Sequence, residues 1–128
     1  MVNVRLLAAA TLLVAATALA PSAVAARSGD VVRTGSCTGS ADWKLKAGKD
    51  NGRIEVEFEV DANHNGQVWR VKLFDNGVRR HRGLHTTMAP SGSFTVRRTI
   101  PNMAGPDDIV ARARNLASGQ LCVGKLTI

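Results

Sequence analysis

Tyrosine is missing from all 128 residues, and the aromatic complement is two tryptophans and three phenylalanines. Proteins that hold single-stranded nucleic acid stack bases on exposed rings. Rings this scarce are expected inside a core, so nucleic acid is not an expected partner. A sustained 3.6-residue apolar repeat is also missing, and the period along most of the chain is two. No G-x-S-x-G occurs, and no carboxylate pair is set apart in an apolar stretch. No reaction or cofactor is read from such a chain, which is taken as a non-enzyme.

The first 26 residues read as an exported protein's leader. Arg5 makes the start positive, residues 6–20 are uncharged and apolar, and Ala23-Val24-Ala25 offers a small-x-small cleavage site. An apolar run that stops at Pro21 is short of the roughly 20 residues a membrane span needs. There is no twin arginine, and Cys37 lies too far beyond the run for lipid attachment. Leu126-Thr127-Ile128 is no sorting tail. The expectation is a signal peptide over 1–26 and one secreted, extracellular, monomeric domain over 27–128, with no membrane span in its mature form.

Two cysteines remain, Cys37 and Cys122. Outside the cell an even pair reads as a disulfide, and closing so long a loop contributes roughly 4 to 5 kcal/mol on the chain-entropy model. A cysteine nucleophile in Gly35-Ser36-Cys37-Thr38-Gly39 is the rival reading. It would leave Cys122 as an unpaired thiol.

Alternation is plainest over residues 53–61, where Ile54, Val56, Phe58 and Val60 alternate with Glu55, Glu57, Glu59 and Asp61. Upstream, Trp43, Leu45 and Ala47 alternate with Asp42, Lys44 and Lys46. Asn51-Gly52 between them suits a two-residue type I′ turn, in which both positions need positive φ. That turn opposes Leu45 with Phe58 and Trp43 with Val60 on one face, and Lys46 with Glu57 and Lys44 with Glu59 on the other. A turn over 116–119 likewise opposes Ala113 with Cys122 and Ile109 with Leu126. Further strands are read at 68–74, 78–87 and 93–100. About seven strands separated by Gly, Asn and Pro turns indicate an all-β, antiparallel sandwich. Trp69 in the third strand and a bridge reaching the last make it look immunoglobulin-like, except that Cys37 would precede the first strand.

The leader, the Cys37 and Cys122 frame, "VDANHNGQVWRVKLFDNG" and "SGSFTVRRTIPN" resemble small secreted actinobacterial proteins of unknown function. The resemblance implies a β-sandwich and export. It brings no catalytic residues.

Residues 61–67, "DANHNGQ", begin like a calcium loop, with Asp61, Asn63, Asn65 and Gly66 in the expected places. The twelfth position, however, is Lys72 where a bidentate glutamate is needed. An inter-strand turn capped by asparagine side chains is the preferred reading. His81 and His85 would lie about 13 Å apart along an extended strand, too far to share a metal. A copper site with Met88 would require Gly83 to break the strand, so no metal is assigned.

Charge is the feature that points to function. Residues 27–68 hold six Lys/Arg against seven Asp/Glu, whereas 69–128 hold ten against three. In an immunoglobulin-like order the first, second and fifth strands share one sheet, whose outer Lys44, Lys46, Glu55, Glu57, Glu59 and Arg97 neutralise one another. The other sheet collects Arg70, Lys72, Arg112, Arg114 and Lys125 on its outer face, interleaved with Val68, Phe74, Val110, Leu121 and Val123. The run Arg79-Arg80-His81-Arg82 reads as an edge strand protected by charge. The expected function is a binding module whose basic and apolar face, centred on Arg70, Lys72, Phe74, Arg112, Arg114, Val123 and Lys125, engages an acidic protein or an anionic envelope polymer. The alternative is a small secreted effector, such as an enzyme inhibitor, acting through the 86–92 loop "TTMAPSG".

Overall fold

A computed structural model describes residues 26–128, and the leader expected over 1–26 lies outside them except for Ala26. The described chain forms eight strands: β1 (Val31–Ser36), β2 (Asp42–Asp50), β3 (Arg53–Asp61), β4 (Val68–Asp75), β5 (Val78–Thr86), β6 (Ser93–Pro101), β7 (Asp108–Asn115) and β8 (Leu121–Thr127). They make two antiparallel four-stranded sheets, in the orders β1-β2-β3-β6 and β5-β4-β7-β8. The expected sandwich and its division of strands between sheets hold. The strand count does not, because β1 adds a strand beside β2. Cys37 consequently follows the first strand instead of preceding it.

Local chemistry accounts for the registers. Asn51 and Gly52 both take left-handed φ, 50° and 74°, as the type I′ turn demands. Leu45 opposes Phe58, Trp43 opposes Val60 and Lys46 opposes Glu57. In the other sheet Ala113 opposes Cys122 and Ile109 opposes Leu126. These registers send Leu45, Ile54, Phe58, Val60, Trp69, Val71 and Ile109 into one core, where they are fully buried. Burying such side chains stabilises by about 1.5 to 3 kcal/mol each.

The sandwich's two lateral seams are closed differently. Where β1 and β2 meet β8, a Cys37–Cys122 disulfide crosses between the sheets, which excludes the cysteine-nucleophile reading. The Trp43 ring fills the same seam between Gly35 of β1 and Gly124 of β8; a Cβ at these positions would approach ring carbons to 2.6 and 2.9 Å. At the opposite seam β5 faces β6 through one polar contact and one ring contact. Arg98 Nε donates to His81 Nδ1 at 3.1 Å, and the His85 ring stacks on Phe94 at 5.6 Å.

Candidate functional site

Outer-face residues of the second sheet are placed by register across β5, β4, β7 and β8. One row runs Leu84, Arg70, Arg114 and Leu121; the next runs Arg82, Lys72, Arg112 and Val123. Neighbouring strands lie about 4.8 Å apart and alternate residues about 6.8 Å along each strand. Arg70, Lys72, Arg112 and Arg114 therefore occupy four adjacent points of one lattice, with like charges opposed across β4 and β7. Opposed like charges are destabilising.

These four cations and Leu121 line one shallow depression of about 370 Å³. Among the described residues no ion pair involves any of the four. The outer face of this sheet carries one carboxylate among the described residues, Asp108, which lies about 13 Å along β7 from Arg112. Asp108 already accepts the Thr127 hydroxyl at 2.6 Å. Phe74, Val123 and Lys125 do not line the depression. Val123 flanks Arg112, while Phe74 and Lys125 belong to the next row, either side of Val110.

The other outer face is neutralised internally. Glu57 Oε2 accepts Arg97 Nη2 at 2.8 Å and lies 3.5 Å from Lys46 Nζ. Lys46 and Glu57 are buried, at 5% and 4% exposure, so Lys46 does not decorate an open surface as the alternation suggested. The hydrogen bond from Arg97 to Glu57, then the carboxylate's charge, raises the Arg97 pKa.

Residues 61–67 are a turn between the sheets. Asp61 Oδ1 caps the Asn63 N–H at 3.0 Å, so the capping group is the aspartate and not an asparagine side chain. Gly66, at φ 80°, donates its N–H to the Thr87 carbonyl at 2.7 Å. Lys72 stands mid-strand in β4.

The histidine expectation is overturned. His81 and His85 do sit on one continuous strand, but their Nε2 atoms are 3.1 Å apart. The distance of about 13 Å describes backbone spacing, and both rings lean toward each other across Gly83. Burial first, and Arg98 second, lower both pKa values. Arg98 completes this group from β6, and no sequence pattern joined it to the histidines.

No family model, curated protein or solved structure matches this chain. No helix among the described residues is long and apolar enough to cross a membrane.

Proposed function

We propose that the protein is a secreted, non-enzymatic binding module that engages an acidic protein or an anionic envelope polymer through the outer face of the β5-β4-β7-β8 sheet. The observation that carries this reading is the depression lined by Arg70, Lys72, Arg112 and Arg114, with no carboxylate among its lining residues. Repulsion within the block costs stability, and a solvated face has no need of it. A partner that supplies negative charge converts the cost into affinity, with arginine forks recognising carboxylates or phosphates in pairs. Leu84, Leu121 and Val123 flank the cations and add apolar contact. The disulfide supports export to an oxidising compartment.

Replacing Arg112 and Arg114 by Glu tests the reading. Both side chains are exposed, so folding is expected to change by less than about 0.5 kcal/mol. Retention on immobilised polyglutamate and polyphosphate should vanish, whereas Lys49→Glu with Arg53→Glu, exposed positions of the other sheet, should leave it unchanged. Retention by the parent should fall with added salt, since exposed charges are screened within about 8 Å at physiological ionic strength. Equal retention by both double variants would remove the basic face from the function.

One observation favours the inhibitor reading. The 86–92 loop is held rigidly, with Met88 N–H on the Ser93 carbonyl at 3.0 Å and Gly92 N–H on the Met88 carbonyl at 2.9 Å. Gly92 sits against the Asn63–His64 backbone, and the Met88 side chain stands exposed. Salt-insensitive inhibition of a secreted hydrolase, lost on Met88→Ala, would mark that function instead.

A further inference from the structure

We propose that His81 and His85 form a chelating site for a divalent transition-metal ion of the kind imidazole favours, Cu(II) ahead of Zn(II). Both residues project toward the interior side of β5, opposite Leu73 and Trp69 of β4, at the seam the disulfide does not close. Gly83 between them keeps the space open, because a Cβ there would stand 3.2 Å from His81 Nε2 and 3.4 Å from His85 Nε2. Two nitrogens each about 2.0 Å from one ion are about 2.8 Å apart at a right angle and about 3.3 Å apart at the tetrahedral angle. The observed Nε2 separation of 3.1 Å falls between these limits. Burial and Arg98 lower both pKa values, the direction that favours the neutral imidazole a metal takes. Among the described residues no three His, Cys, Asp or Glu side chains gather as a metal group. The protein thus supplies two ligands, and solvent reaches the half-buried pair to supply the rest. Copper heads the affinity series for such nitrogen donors.

Arg98 opposes the ion and acts as its gate. A guanidinium only donates, so its bond to His81 Nδ1 at 3.1 Å places the His81 proton on Nε2, where His85 Nε2 accepts it. A ligating His81 must carry that proton on Nδ1. Binding therefore moves the proton across the ring, displaces Arg98 and tilts both rings so that their lone pairs meet off the line joining them. Arg98 is exposed and retains a second acceptor, the Arg97 carbonyl at 2.7 Å, to which it can remain bonded.

The test is equilibrium dialysis of untagged protein against Cu(II) and, separately, Zn(II) at neutral pH. One ion per chain is expected, with Cu(II) held more tightly. Binding should be lost in His81→Ala and in His85→Ala, persist in His64→Ala, and tighten about tenfold in Arg98→Ala, since groups behind a ligand commonly shift affinity by that order. Electron paramagnetic resonance of the Cu(II)-loaded parent, which needs no variant to fold, should show two coordinated imidazole nitrogens. Binding that survives in either His→Ala variant overturns the proposal. A parent that binds no better than the double His→Ala variant, or a spectrum without nitrogen coupling, leaves the pair as two rings sharing a proton. None of these outcomes depends on the basic face, which lies on the outer side of the sheet.

Discussion

Asp75 ends β4 pointing inward, 1% exposed, with no donor to either carboxylate oxygen among the described residues. Burial raises its pKa most, and the neighbouring Asp107 carboxylate, which could accept its proton, raises it further. Arg80 pulls the other way; it is the residue left unopposed where the β4–β5 register shifts, and its own Nε is buried without a hydrogen-bond partner among the described residues. The sign follows from linkage. A folded pKa above the unfolded value near 4 means that the favourable contribution is present at lower pH and is lost as pH rises through the folded pKa. Asp75→Asn keeps the shape and removes the titration. At neutral pH it should gain about 1 kcal/mol or more, on the scale of a buried unsatisfied group, and its melting temperature should depend less on pH between 4 and 7. A lower melting temperature at neutral pH would show instead that ionised Asp75 is held by Arg80.

Packing between strands is where a single carbon matters. Gly124 of β8 leaves room for the Trp43 ring of β2, and a Cβ would meet two ring carbons at 2.9 Å. Gly124→Ala should cost about 1 to 3 kcal/mol, read as a lower urea midpoint with an unchanged slope. The same contrast between elements explains what could be read in advance. Central strands were legible because both neighbours are strands and the core lies beneath: β3 and β7 alternate cleanly, and the turns at Asn51-Gly52 and 116–119 set their registers with β2 and β8. Edge strands were read less completely: β5, β6 and β8 were legible as strands, and β1 was not. At core-facing positions β1 carries Arg33, opposite buried Leu45, β6 carries Arg98, opposite Val56, and β5 carries His81, Gly83 and His85. There the interior opens to solvent at a seam, and polar residues are tolerated where alternation predicts apolar ones. β1 was therefore missed, and with it the position of Cys37. The cationic lattice was legible because β4 and β7 are central and its residues face outward. The histidine pair was not, because its closeness depends on ring tilt over a glycine.

At the scale of the molecule, charge is separated by sheet. One outer face ties Glu55 and Glu57 to Lys46 and Arg97, and the other presents four cations that form no ion pair among the described residues, so the charge distribution would orient the protein on an anionic surface. The disulfide has a second meaning: it determines how the domain carries mechanical load. Cys37 lies just after the first strand and Cys122 within the last, 85 positions apart. A pull between handles at Arg27 and Ile128 passes through the sulfur bridge and bypasses everything between. The hidden length is about 85 residues at roughly 3.5 Å each, some 300 Å. Single-molecule stretching should therefore show a short extension under oxidising conditions and a gain of about 300 Å once the bridge is reduced. A full-length extension without reductant would mean that the bridge does not carry the load. Strung between a surface and a partner, the bridged fold would lengthen only over the segments outside the loop, 27–37 and 122–128, while the residues between the two cysteines, Arg70, Lys72, Arg112 and Arg114 among them, carry no tension.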